Sequence, residues 1–268
     1  MANPDLSIII VTWNTADITL KCIHTINKYL NNKLNYEIIV VDNASSDNTI
    51  QLLSKEKIVL IKNHENSGFA KGNNIGVKKA KGKYLFFLNS DMELIDDSFI
   101  AMFKFFVNSD IGLIGPSFLN TDLTPQGSVF PPQTVANAFK EFVLKIKNVY
   151  SKYTPDSKTP VSVWSVSGGA ILIKKDLFKQ VGGWNEKYFI YFEDLDLCRS
   201  IRRLGQQIIF YPNCKVIHAH GQSGKHLAPA KDQWRRLIPG SIKFHGKFNH
   251  YLINSIIWFG QKFHSFFG

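Results

Sequence analysis

A chain of 268 residues, 44% hydrophobic and 13% aromatic, has the composition of a globular protein with one large α/β core or a core plus appendages. It offers no run of about 18 uninterrupted apolar residues, so a membrane-spanning helix is not expected. The start, Met1 to Ser7, lacks the basic and apolar blocks of a secretory leader. The net charge of +11 is unevenly spread: after Asp196 the only acid is Asp232, while Arg, Lys and His recur to the end. Such asymmetry points to an anionic partner, whether nucleic acid, a phosphate-bearing substrate or an acidic membrane surface. Three cysteines, Cys22, Cys198 and Cys214, lack metal spacing and favour a reducing compartment, so a cytosolic protein is expected.

Leu6–Trp13 reads as a buried strand. Asn14-Thr15 then opens a helix with apolar positions at Ile18, Cys22, Ile23, Ile26 and Leu30. Tyr36–Val41 is a second strand, stopped by the polar run Asp42 to Asp47, which caps a short helix through Leu53. Ile58–Lys62 makes a third strand and Phe69–Ala80 a further helix. Tyr84 to Leu88 is a fourth, almost wholly apolar strand ending abruptly in Asn89-Ser90-Asp91. The alternation predicts a parallel, helix-covered sheet with right-handed crossovers. Ligands in such sheets sit beyond the carboxyl ends of the strands, which puts Asp91 at the rim facing a ligand. The competing reading makes Asn89-Ser90-Asp91 a turn and cap for a helix at Phe99–Phe106. A dinucleotide-binding dehydrogenase is excluded, although Asp42 ends the second strand as a ribose-binding acid would. The first strand-to-helix turn, Thr12 to Asp17, has no glycine to let backbone approach a pyrophosphate.

Further on, Ile111–Gly115 reads as a strand, Pro116–Pro132 as irregular or hairpin structure, and Val135–Val149 as an amphipathic helix carrying Lys140, Lys145 and Lys147. Val161–Val166 and Ala170–Ile173 read as strands flanking Ser167-Gly168-Gly169, and Asp176–Val181 as a short helix. From Glu193 to Gly205 the pattern is helical, with acids first, arginines last and a glycine cap. Glu193, Asp194 and Asp196 complement the helix dipole, but they also follow a largely aromatic segment. Mutual repulsion and apolar neighbours raise carboxylate pKa values, which is how a general base is tuned. Gln206–Phe210 and Lys215–Ile217 read as two strands leading to His218-Ala219-His220. Alternate residues on an extended segment point to opposite faces, so at most one of the two histidines meets a given site. Imidazole paired with the Asp91 carboxylate suits a divalent cation such as manganese. The tail from Lys231 interleaves basic residues with large aromatics, among them Trp234, Phe244, Phe248, Tyr251, Trp258, Phe259, Phe263, Phe266 and Phe267. That pattern suits an interfacial helix on an anionic membrane, single-stranded nucleic acid, or a helix packed on the core.

In order along the chain, the segments Ser7 to Asn14 (SIIIVTWN), Val41 to Asp47 (VDNASSD), Asn66 to Gly76 (NSGFAKGNNIG), Leu88 to Asp91 (LNSD), Ser167 to Ala170 (SGGA), Gly182 to Asn185 (GGWN), Tyr191 to Asp196 (YFEDLD) and His218 to Ser223 (HAHGQS) resemble a family-2 glycosyltransferase of the bacterial rhamnosyltransferase-like group. The resemblance implies an A-type glycosyltransferase fold, a Rossmann-like α/β arrangement with a mainly parallel central sheet. It also implies inverting transfer from a nucleotide-diphosphate sugar. By position, Thr12, Asn14 and Asp42 would contact the nucleotide, Asn73 and Asn74 would lie near its ribose or diphosphate, and Asn89 would join them. Asp91 is the last residue of the family's Asp-x-Asp metal motif, whose first position here is Asn89, one charged ligand fewer. Asp91 and His218, or less readily His220, would hold a divalent cation, Mg2+ or Mn2+. Asp194 matches the catalytic base, and Gly168, Gly169, Trp184 and Glu193 fall on the acceptor side. Trp184 could equally belong to the core.

The implied division is a catalytic domain at 1–225, with a nucleotide-binding half at about 1–115 and an acceptor-binding half at about 116–225, followed by an amphipathic extension at 226–268. The implied partners are a nucleotide-diphosphate sugar, a polyprenyl-diphosphate-linked glycan acceptor and the anionic inner face of the cell membrane, with no nucleic acid. Rival readings are a membrane-docked scaffold of the same fold that has lost its chemistry, supported by Asn89, and a nucleic-acid-binding module, supported by charge alone.

Overall fold

The computed structural model describes residues 3–219 and 230–267, with no account of side chains at 230–233 or beyond 262. His220 to Ser223 therefore lie outside the described residues, as do the side chains of Lys231, Phe263, Phe266 and Phe267.

Four strands, β1 (Leu6–Thr12), β2 (Tyr36–Asp42), β3 (Val59–Lys62) and β4 (Tyr84–Leu88), lie parallel in the order β3-β2-β1-β4. They are joined by the helices α1 (Ala16–Leu30), α2 (Thr49–Leu53) and α3 (Gly68–Val77). Successive residues of these strands serve opposite cores. Ile8, Ile10, Phe86 and Leu88 pack with Cys22, Ile23 and Ile26 of α1. Ile9, Leu85 and Phe87 face Ala70 of α3 and the ring of Trp184 on the other side. Burial on both faces is why β1, β2 and β4 read as unbroken apolar runs, whereas β3 at the sheet edge is partly exposed. α3 lies unusually close to the sheet, since a Cβ at Gly76 would come within 2.6 Å of Ile9 Cγ2.

Beyond Asp91 the chain forms β5 (Met92–Leu94), α4 (Ser98–Val107) and β6 (Leu113–Leu119). It continues through β7 (Pro125–Gln126), which pairs the carboxyl end of β6, then β8 (Val129–Phe130), α5 (Val135–Phe142), β9 (Val161–Ser162) and β10 (Ser165–Val166), and meets the carboxyl edge of the sheet at Gly169, whose carbonyl accepts the Asn89 N–H. β11 (Ala170–Lys174) therefore starts from that edge and runs antiparallel between β4 and β6. α6 (Lys175–Gln180) and α7 (Glu193–Arg203) follow, then β12 (Ile208–His218), parallel to β6 and antiparallel to β5. The ten-stranded sheet thus joins a wholly parallel half to a mixed one.

Several boundaries differ from the sequence expectation. Asn89-Ser90-Asp91 leads into strand β5 rather than capping a helix, and the backbone N–H of Ser98 at the start of α4 is bonded by Asp96 at 2.9 Å. β12 is one strand, not two, because the Pro212-Asn213-Cys214 interruption is a bulge between the Tyr211 and Lys215 pairings. β6 runs on through Pro116 opposite that irregularity, where the ladder is already broken. The expected single strand at 161–166 splits, β9 pairing β12 and β10 pairing β8. α5 stops at Phe142 rather than Val149 because the Glu141 carboxylate accepts the backbone N–H groups of Val149, Tyr150 and Ser151, folding the chain back. α8 (Ile238–His245) and α9 (Lys247–Phe267) close the chain, and α9 packs on α5 at Gly260, where a Cβ would meet the Phe142 carbonyl oxygen at 2.3 Å.

Candidate active site

The three residues of β5 decide the geometry at Asp91. Their pairing with β12 sets Met92 opposite His218, and the Ala219 N–H donates to the Asp91 carbonyl at 2.9 Å. The two side chains meet as a result: His218 Nε2 stands 3.5 Å from Asp91 Oδ1, with both residues buried. The other ring nitrogen, Nδ1, lies 2.6 Å from Gln126 Oε1. The amide of Gln126 is oriented by its NH2 end, which donates to Asn120 Oδ1 at 2.8 Å and to the His218 carbonyl at 3.2 Å. Nδ1 is thus the nitrogen held by Gln126 and Nε2 the one that faces Asp91, the orientation of a metal-binding histidine held by an outer partner. Asn89 Oδ1 is buried without a hydrogen-bond partner among the described residues. The paired carboxylate and imidazole, with an unpartnered amide oxygen two residues away in the chain, are donor types that fit manganese or magnesium. Among the described residues no three His, Cys, Asp or Glu side chains cluster as a self-sufficient metal cage.

The second wall carries Asp194. Its Oδ2 accepts the Gly168 N–H at 2.9 Å, and its Oδ1 accepts from Leu195 N at 2.9 Å. The next residue, Gly169, gives its carbonyl to the Asn89 N–H at 2.9 Å. Two consecutive glycines thus join the carboxylate of α7 to the turn that bears Asp91. The glycines have protein neighbours: a Cβ on Gly168 would lie 3.1 Å from Asp194 Cβ, and one on Gly169 would lie 2.4 Å from Met92 Cε. Their lack of side chains admits Asp194 and Met92. Burial holds the Asp194 carboxyl above its ordinary pKa, opposed by the Gly168 N–H and the charge of Lys152. Glu193 is pushed well above the usual glutamate range by burial and then by the charge of Asp194. It is enclosed, with Oε2 unpartnered among the described residues.

Two successive aromatic residues in left-handed backbone, Tyr191 (φ 70°) and Phe192 (φ 71°), aim this helix start. Such geometry costs roughly 1–3 kcal/mol per residue and must be held from outside. Here α8 holds it. The Phe192 ring packs on Phe244 and His245 with centroids 5.6 Å away in each case, and Gly240 sits so close to the Tyr191 carbonyl that a Cβ would approach it to 2.6 Å.

Asp42 is fully buried at the tip of β2. Its Oδ2 accepts the Ser45 N–H at 3.0 Å and its Oδ1 has no partner among the described residues. Asn14, at φ 52°, clamps the neighbouring loop by donating its N–H to Ser45 Oγ and accepting from Ser46 N. Four of the expected site residues are held by protein partners. The Thr12 hydroxyl is buried among Thr15 and Thr19, at 2.9 and 2.7 Å. The Asn73 side chain is 1% exposed and bonds the Phe69 carbonyl of its own helix. Both ends of the Asn74 amide are taken by the Trp184 backbone, at 2.8 and 3.0 Å, which pins the chain ahead of α7. Trp184 is 1% exposed and ringed by Phe69, Phe87 and Phe178, so it is core and presents no face to an acceptor.

Two polar residues at the site carry no sequence signal. Gln126 orients His218 from a stretch that reads as irregular. Lys152 stands at the site as one among 32 basic residues, with nothing in its neighbours to mark it.

The model of the family described as glycosyl transferase family 2 matches residues 7–182, well over half of the chain. The chain belongs to glycosyl transferase family 2. This glycosyltransferase is 28% identical over 232 residues to the low-salt glycan biosynthesis hexosyltransferase Agl10 of Haloferax volcanii, covering 81% of this chain and 67% of that one. It is 37% identical over 77 residues to the N-acetylglucosaminyl-diphospho-decaprenol L-rhamnosyltransferase of Mycobacterium tuberculosis, covering 27% of this chain and only 24% of the relative. Among solved structures, GalNAc-T7 with UDP, GalNAc and Mn2+ aligns with a TM-score of 0.67 at 17% identity, over 91% of this chain and 50% of that chain. The mannosyltransferase PcManGT of Pyrobaculum calidifontis, with GDP-Man and Mn2+, aligns at 0.62 and 17%, over 94% and 64%. These likenesses establish the A-type glycosyltransferase fold of the enzyme.

Proposed function

We propose that this glycosyltransferase is a metal-dependent inverting enzyme that moves a sugar from a nucleotide-diphosphate donor to a hydroxyl of a lipid-linked surface glycan. The observation that carries the reading is the Gly168-Gly169 link between Asp194 and the Asn89–Asp91 turn. It supports a single cleft with a base on one wall and a cation site on the other. In this reading residues 1–115 bind the nucleotide, 116–225 the acceptor, and 226–268 form an extension. The unpartnered, buried Asp42 Oδ1 accepts from the pyrimidine imide, and Asn14 shapes the loop beside it.

Asp91, His218 and Asn89 hold Mg2+ or Mn2+, which when bound neutralises charge on the departing diphosphate. Asp194 takes the proton of the acceptor hydroxyl. Its pKa, raised by burial, brings it nearer to neutrality than an ordinary aspartate, and such assistance is worth about 10²–10⁴-fold. The bound Mn2+ and nucleotides of the solved relatives support the donor and cation, and the decaprenol-linked acceptor in the mycobacterial enzyme's name supports a polyprenyl acceptor and rhamnose as the sugar.

The surface fits a peripheral membrane enzyme. Phe248, Leu252 and Phe259 are exposed on one stripe of α9, flanked by Tyr251 and Trp258. The loop after α5, which packs on α9, adds exposed Leu144 and Ile146 with Lys145 and Lys147. Basic and apolar groups together suit an anionic leaflet. Among the described residues no helix is long and apolar enough to cross a membrane. The test is a panel of nucleotide sugars screened with Mn2+ for thermal stabilisation, repeated with Asp91→Ala. Stabilisation by one donor and its loss in the variant supports the reading. Equal stabilisation of both proteins, or none by any donor, contradicts it.

A further inference from the structure

Lys152 enters the site from the loop that follows α5, held there by the pairing of Tyr153 with Val129. Its backbone passes so close to Gly127 that a Cβ there would meet Lys152 C and O at 3.2 Å. The ammonium donates to Ser167 Oγ at 3.1 Å and lies over the rings of Phe118 and Phe130, 5.6 and 5.3 Å from their centroids. Phe118 in turn meets the His218 ring edge-on at 5.6 Å. Ser167 is the residue before Gly168, whose N–H binds Asp194 Oδ2. The cation is therefore seated one peptide away from the hydrogen bond that fixes the carboxylate. Among the described residues no carboxylate lies within 4.0 Å of it. An ammonium largely removed from water, with one hydroxyl acceptor and two aromatic faces, has every reason to hold a nearby negative charge in place.

We infer that Lys152 is a positioning residue for the transfer reaction: seated by Ser167, Phe118 and Phe130, it keeps Asp194 ionised and directs its carboxylate into the cleft without occupying it. A lysine in direct ion pairing would block the oxygen that must receive the acceptor proton, whereas one held back by a serine stabilises the charge and leaves the oxygen accessible. The charged and titratable groups that act on Asp194 are Lys152 from this loop and Glu193 on its own helix, with Cys198 one turn further along. Of these only Lys152 favours the ionised form. Burial pulls the Lys152 pKa down and the charge of Asp194 opposes that fall, so the influence is mutual.

This inference rests on Asp194 being the base, so the experiment reads charge directly as well as turnover. In protein labelled with 13C at the aspartate carboxyl carbon, the Asp194 signal is assigned by its absence in Asp194→Asn and followed against pH. In Lys152→Met the midpoint moves up by about one pH unit, and Lys152→Arg returns it to the wild-type position. Donor hydrolysis by Lys152→Met falls about tenfold at neutral pH and recovers in more alkaline buffer. Ser167→Ala, which frees the ammonium while leaving the lysine intact, moves the midpoint in the same direction and decides the matter if Lys152→Met does not fold. An unmoved midpoint in the folded variants, or equal loss of turnover at every pH, overturns the inference and leaves Lys152 a packing residue. If the midpoint moves but Asp194→Asn keeps full turnover, the charge coupling stands and the base assignment fails.

Discussion

Gln126 Oε1 lies 2.6 Å from His218 Nδ1, and this contact fixes which nitrogen of the imidazole faces Asp91. Outer partners of metal-binding histidines are worth about 10–100-fold in affinity. Gln126→Leu is therefore expected to weaken Mn2+ binding by that factor while leaving Asp91 and His218 in place. Titration of Mn2+ into enzyme saturated with a nucleoside diphosphate measures it. Unchanged affinity would mean that His218 serves only to pack against Phe118.

Thr12 and Asp42 pair at the ends of the neighbouring strands β1 and β2, but the Thr12 hydroxyl is satisfied by Thr15 and Thr19 whereas Asp42 Oδ1 is unpartnered among the described residues. Asp42→Ala should lower nucleotide affinity about 10- to 100-fold, as expected for a hydrogen bond to a charged group worth about 1.5–3 kcal/mol. Thr12→Val should leave affinity intact and cost stability instead, by about 1–3 kcal/mol, because Thr15 and Thr19 lose a buried partner. Calorimetric titration with nucleoside diphosphates, set beside thermal unfolding, separates the two effects.

Glu193 makes stability depend on pH in a definite direction. Its folded pKa is raised by burial and by Asp194, above the value of about 4.3 in an unfolded chain. In strong acid both states are protonated and no difference arises. As pH rises past 4.3 the unfolded chain sheds the proton first, so the wild type loses stability toward neutrality. Glu193→Gln should match the wild type near pH 3 and unfold at a higher temperature near pH 7.5. The same difference at both pH values would place Glu193 in an ordinary solvated setting.

The stripe of Phe248, Leu252 and Phe259 predicts adsorption to anionic but not neutral vesicles. Phe248→Ser with Phe259→Ser should weaken it at least tenfold, since burying one aromatic side chain is worth about 1.5–3 kcal/mol. Cosedimentation at low and high salt reads both the apolar and the electrostatic contribution. Binding that survives the double substitution would exclude α9 as the contact.

The parallel half of the sheet was legible because β1, β2 and β4 are largely buried on both faces and each connection is a helix. β12 was not, since Pro212 looks like a stop unless the β6 ladder beside it is known to be irregular. Asp91, His218 and Asp194 were legible as ordered motifs, and the structure brings Asp91 and His218 together and links Asp194 to their turn. Trp184 and Asn74 show what order along the chain does not separate: in a motif shared with a family, a residue that builds the scaffold is spelled like one that touches a ligand. Only the hydrogen bonds of Asn74 to the Trp184 backbone separate the two. Lys152 was invisible because its role comes from Ser167, Phe118 and Phe130, which lie far from it in the chain or carry no chemical signature of their own.

The most direct test compares wild type and Asp194→Asn with the donor that stabilises the protein, following nucleotide release in the presence of Mn2+ and separately the donor dissociation constant. Turnover should fall about 10²–10⁴-fold while donor affinity stays within a factor of a few. Asp194→Asn turning over at the wild-type rate, or losing donor affinity in step with turnover, would contradict a base that stands across the cleft from Asp91 and His218.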